Sequence, residues 1–159
     1  MPIIDEEAAQ AAIHLALPTI ARAMGDPAAG DSGCLHIVVM NPRLPAASSP
    51  FEQAVLYEHS INRPSWDADY ARFARAKALI SWRAGMDGHA VQTLRPHLLE
   101  PGDTLLWGSV CLDGLVVAVS GMQPWYDEAL AGIVACCLRA VAKARAVEAG
   151  RRGLFIDRS

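Results

Sequence analysis

The sequence predicts an α/β (α+β) domain, an antiparallel sheet flanked by helices in the order α-β-β-α-β-β-α, and three observations carry that prediction. Asp113-Gly114 separates two apolar runs between Leu105 and Val119. A tight primed turn needs positive φ at both central residues, and Asp-Gly tolerates it cheaply, so Leu105 to Gly121 reads as one antiparallel hairpin. Ser120-Gly121 then leads directly into Pro124-Trp125-Tyr126-Asp127-Glu128, a helix start with proline in its first turn and acids behind it. The Ile- and Val-rich stretch Leu35 to Met40 follows a helical pattern and a glycine-containing loop, and Asn41-Pro42 ends it.

The first helix opens at Asp5, whose carboxylate can cap it, with Glu6 and Glu7 at the positive end of the dipole. Ile13, Leu17, Ile20 and Met24 recur on one face. Pro18 removes a backbone donor and crowds the carbonyl of His14, so either a kink or a break into two short helices is expected. After the first strand, the proline-rich stretch from Pro42 to Pro50 disfavours regular structure, and Phe51 to Glu58 is the expected second strand. Asp67 is the expected cap of a helix from Ala68 to Ala84, on which Tyr70, Phe73, Lys77 and Ile80 share a face and which Gly85 stops. A short helix over His89 to Leu94 ends before Pro96, and Pro101-Gly102-Asp103 is a turn. The last helix runs from Pro124 to Ala149 with Leu130, Val134, Cys137, Leu138 and Val141 on its apolar side and Gly150 beyond its end.

Composition narrows the function classes. The chain has 159 residues, enough for one domain with a full core, and no shift in composition marks a second. A net charge of −3, with basic residues that form no stripe, gives a nucleic-acid partner no electrostatic footprint. No apolar run is long enough to span a bilayer and the first residues lack a secretory pattern, so the expectation is a cytoplasmic protein with no membrane partner. Cys34, Cys111, Cys136 and Cys137 show no Cys-x-x-Cys spacing and are expected as reduced thiols. With 52% hydrophobic and only 19% charged residues, few charges cover the outside, and a homo-oligomer held by apolar and aromatic surface is expected, involving Trp107, Trp125 or the Cys136 helix.

The residues Asp113, Gly114, Val116, Val117, Val119, Ser120, Gly121, Pro124, Asp127, Glu128 and Ala131 resemble the strand-to-helix signature of the GlcG/HbpS family. The core Ala74-Arg75-Ala76-Lys77-Ala78 is similar to that family's alanine-rich helix with its lysine. Glu100 to Val110 departs from the glycine-rich stretch that family members carry before the third strand, where the family builds part of its pocket. The resemblance implies a profilin-like fold and a small-molecule ligand, with haem as the first named cofactor candidate.

Lys77 sits among apolar neighbours, where burial would lower an ammonium's pKa unless an acid pairs with it; Asp127 is the acid available across the pocket. The alternative is a lysine stem that snorkels to water along the sheet edge. Asp127 and Glu128 could equally serve only the helix dipole. The amides from Met122 to Tyr126, at a helix N-terminus, are a place for a ligand carboxylate or phosphate, and Trp125 could stack on a planar ring or serve an interface. Arg95 and His97 lie together in a turn where an anionic ligand could be met, and His59 and His97 are the candidate axial ligands of a haem. His14 and His36 read as structural. No His-x-x-x-His or His-Glu-x-x-His spacing supports a preformed metal site, and Ser120 lacks a nucleophile elbow.

The ligand-site expectation is therefore Lys77, Arg95, His97, Trp125 and Asp127, binding haem or another planar or anionic metabolite. Two other readings stay open. One is an enzyme acting on a small organic acid or aromatic metabolite, with Lys77 or a loop histidine as acid or base. The other is a non-catalytic assembly partner of a pathway enzyme.

Overall fold

A computed structural model of the chain describes residues 2–150. Helix α1 (Glu6–Met24) is followed by strand β1 (Leu35–Met40), a helical turn α2 (Phe51–Ala54), β2 (Val55–Ile61), α3 (Tyr70–Ala84), the short α4 (Gly88–Leu94), β3 (Ser109–Leu112), β4 (Leu115–Ser120) and α5 (Pro124–Glu148). The strands form one antiparallel sheet in the order β2-β1-β4-β3. This is the predicted α+β architecture with the predicted order of major elements.

The two central strands, β1 and β4, are buried at every position, because helices cover both faces of the sheet. On one face Ile37, Val39, Val117 and Val119 pack with α1 and α5. On the other, Val38, Met40, Val116 and Ala118 meet Ala74 and Ala78 of α3. The small Ala8, Ala9, Ala12 and Ala16 lie buried on α1, which packs closely against α5. A three-layer sandwich results, with the sheet in the middle.

The hairpin forms as expected: Asp113 and Gly114 have φ of 52° and 82°. Its first strand is shorter than the apolar run suggests, since Leu105 to Trp107 stay outside the sheet. Gly108 turns the chain there, at φ 144°, with its N–H donated to a side chain of α5 rather than along the ladder.

Five further expectations need comment. Asp5 caps α1 by accepting from the Ala8 N–H at 2.9 Å. Pro18 neither ends nor divides α1; it and His14 both lie on the exposed face, where water can satisfy the carbonyl left without a donor. Phe51 to Ala54 is helical, not the start of β2, with Phe51 held edge-on against Trp82. The cap of α3 is Asp69, which accepts from the Arg72 N–H, while Asp67 accepts from the Tyr70 hydroxyl at 2.5 Å. Gly85 ends α3 at φ 68°, as expected.

No helix among the described residues is long and apolar enough to cross a membrane. The four cysteines are free thiols.

Candidate functional site

The site is built where α3 crosses the β4–α5 corner. Lys77 faces the sheet from the middle of α3 and is 2% exposed, the largest side chain so deeply buried. Its Nζ donates to Asp127 Oδ2 at 2.9 Å and to the Val119 carbonyl at 3.0 Å. Asp127 projects inward from the first turn of α5, and its Oδ1 accepts from the Met122 N–H at 2.8 Å. The pair expected from sequence as one alternative thus exists, and Lys77 does not snorkel.

The lysine reaches this position because residue 108 is a glycine. A Cβ there would stand 2.6 Å from Lys77 Cδ, 2.8 Å from its Nζ and 2.6 Å from the Val119 carbonyl oxygen. Burial and pairing then pull in opposite directions. Burial lowers the pKa of Lys77 against the attraction of Asp127, and burial raises that of Asp127 to about 6 against the attraction of Lys77. The two proton affinities are drawn toward one another, which is what acid–base chemistry needs from a pair.

The pair forms the floor of an open cleft of about 540 Å³. Tyr70 and Phe73 of α3 form one wall, Ser120 to Pro124 the other, and Asp31 and Asp67 stand at the rim. Against the single positive charge of Lys77, the lining carries Asp31, Asp67 and Asp127. A hollow of about 610 Å³ lies between the end of α1 and Tyr126, but no buried polar side chain lines it. The cleft over Lys77 brings space together with a buried ion pair whose proton affinities are shifted toward one another.

No family model matches the sequence, and no curated protein matches it. Among solved structures, the chain is similar to that of the Klebsiella pneumoniae protein ORFY, described under the family model DUF336. The likeness has a TM-score of 0.57 and covers 86% of this chain and 91% of that one, at 15% sequence identity. The fold is that of a DUF336 protein. DUF336 is the GlcG-like family, so the fold expected from the Asp113 to Ala131 signature is the one found.

Within the DUF336 fold the remaining site candidates disperse. Arg95 and His97 are exposed around a single 3-10 turn and do not line the cleft. Trp125 is 56% exposed and also lies outside its lining. His59 is in β2 and pairs with Ile37, which places it on the α1/α5 face of the sheet, opposite α3 and Lys77. His36 is structural: it is 2% exposed and bonded to Ser60 at 2.8 Å and to Glu58 at 2.9 Å, and Glu58 is gripped by Arg75. Three of the amides expected to receive an anion are already occupied. Met122 donates to Asp127, Gln123 to the Ala29 carbonyl, and Tyr126 to the Gln123 carbonyl. The carboxylate at this helix start is the protein's own.

Haem needs an axial donor, and no histidine lines the cleft. Met122 and Tyr70 line it, but the Met122 sulfur lies against Gly30, whose added Cβ would be 3.4 Å from it, and the Tyr70 hydroxyl is donated to Asp67. A histidine-ligated haem does not fit this arrangement.

Sequence reasoning missed Glu128, His89 and Asp87. Glu128 is 7% exposed, with Oε2 accepting from the Gly108 N–H at 3.2 Å and Oε1 bonded to His89 Nδ1. Asp127 and Glu128 therefore both turn inward and do more than complement the dipole. The one local sign was Gly88 between Asp87 and His89: a Cβ there would meet Ser109 Oγ at 2.8 Å.

Proposed function

We propose that this protein binds a small planar metabolite in the cleft between α3 and the β4–α5 corner. The single observation that carries the reading is the buried Lys77–Asp127 pair that lines this cleft together with Tyr70 and Phe73. Burying two charges costs several kcal/mol per ion, roughly, before their attraction offsets it, and a well-packed apolar pair would often be no less stable. A pair kept at the base of an open cleft is explained by what it contacts there.

The charge of the lining sets the ligand class. Lys77 is neutralised by Asp127, and Asp31 and Asp67 leave the rim acidic. With the Met122 and Gln123 amides at its edge occupied as well, the cleft suits a planar ligand that carries hydrogen-bond donors or positive charge better than an anionic one. Tyr70 and Phe73 supply faces for ring stacking and for cation–π contact. The resemblance to the GlcG-like family, in which small ligands are expected, supports binding without naming the ligand.

The convergent proton affinities of Lys77 and Asp127 favour a second reading, proton transfer on the bound molecule. Binding is the requirement common to both. Thermal denaturation with benzamidine and with benzoate tests it. Benzamidine is expected to raise the Tm saturably and the Phe73→Ala variant to abolish the rise; stabilisation by benzoate alone, or a rise indifferent to Phe73, would refute the ligand class and the site respectively.

A further inference from the structure

We propose that Asp87, His89 and Glu128 form a second site, one that binds a first-row divalent metal cation. The fold brings them together from distant parts of the chain: Asp87 and His89 at the start of α4, Glu128 in the first turn of α5. One ligand atom from each lies within 4.8 Å of the others. Donors that share one ion at about 2.0–2.2 Å stand up to roughly 4.4 Å apart, so a small side-chain rotation completes the set. One imidazole with two carboxylates suits Zn²⁺, Mn²⁺ or Fe²⁺, whereas an all-oxygen set would suit Mg²⁺ or Ca²⁺.

Two independent features point to a cation. The first is orientation from outside the cluster. Asp87 Oδ1 accepts from the Cys111 N–H at 2.9 Å and Glu128 Oε2 from the Gly108 N–H at 3.2 Å. Each carboxylate is thereby fixed by backbone through one oxygen, the role outer partners play around metal ligands, and Glu128 turns its other oxygen to His89. The second is charge. The Glu128 side chain is 8% exposed, and the nearby Lys77 is committed to Asp127. Among the described residues neither Asp87 nor Glu128 is paired with a lysine or arginine. Two carboxylates and one imidazole thus converge with no lysine or arginine in a salt bridge to either carboxylate, and a divalent ion would supply that positive charge.

The site is reachable. The side chain of His89 is 42% exposed, and Asp87 lines an apolar groove of about 410 Å³ between β3 and α5. The Trp107 ring lies 5.0 Å from the His89 ring, close enough to report on the ion.

Titration of chelator-treated protein tests the proposal, with Zn²⁺ by calorimetry and Co²⁺ by absorption and tryptophan fluorescence. One saturable site of micromolar affinity or tighter is expected, with a fluorescence change lost in Trp107→Phe. His89→Gln and Asp87→Asn, which keep a polar group in place, should each weaken binding at least about tenfold, while His97→Gln leaves it unchanged. No saturable binding, binding indifferent to His89→Gln, or thiolate charge-transfer bands that place Co²⁺ on Cys136 or Cys137 would overturn it. Because His89 is half-exposed, circular dichroism of His89→Gln separates loss of the ion from loss of the fold.

Discussion

The side chain that organises this protein is Lys77, and the residue that admits it is Gly108. Even an alanine at 108 would collide with Lys77 and with the Val119 carbonyl, so the lysine, its aspartate and that glycine form one unit. Asp127 gives the unit a pH signature. Folded, it holds its proton up to about pH 6; unfolded, it releases it near 3.8. Between those values the folded state binds more protons, so the contribution of Asp127 is fully present below the lower value and lost as pH rises through the upper one. His36 and His59, whose pKa values burial lowers, pull the other way over the same range, so the fall is read as the difference in urea midpoint between the wild type and Asp127→Asn from pH 4 to 7; an identical pH profile in the variant would remove Asp127 as its source. Lys77 was legible in the sequence because a lysine stands out on an apolar helix face. The His89–Glu128 contact was not, because it joins residues that only the packing of α4 against α5 brings together.

At the level of elements, turn chemistry was the most readable feature and strand limits the least. Positive φ at Asp113 and Gly114 follows from local sterics, which the sequence states directly. Nothing lies within 4 Å of a Cβ placed on Gly114, so Gly114→Val isolates the conformational cost. It should destabilise the fold by about 1–3 kcal/mol in urea denaturation, and an unchanged midpoint would tell against the primed turn. Phe51 misled as a strand residue because apolar character alone does not separate a strand from one helical turn; its contact with the Trp82 ring decides the matter. Leu105 to Trp107 misled for the complementary reason. They are apolar and adjacent to a strand, yet Leu105 is 70% exposed because Gly108 takes the chain off the sheet.

At the level of the whole molecule, the helix–strand order was legible but the coverage of both sheet faces and the order β2-β1-β4-β3 were not, since these depend on contacts between segments far apart in sequence. The exposed apolar residues point outward from the fold. Leu94, Leu105, Leu106 and Trp107 are all exposed, and the segment holding the last three is tied to α4 by the Gln92 side chain, which donates to the Leu105 carbonyl. Self-association through this patch, burying roughly 1,200 Å² or more in total, remains the expectation for a surface so poor in charge. Light scattering should give a mass above that of a monomer at low micromolar concentration; a monomeric mass independent of concentration would refute it.

The central claim is that the cleft over Lys77 and Asp127 is the ligand site, and residue-resolved titration tests it most directly. In ¹H–¹⁵N spectra of labelled protein titrated with benzamidine, saturable shifts should centre on Phe73, Lys77 and Ser120 to Gln123. Shifts confined to the β3–α5 groove, or none that saturate at the β4–α5 corner, would contradict it.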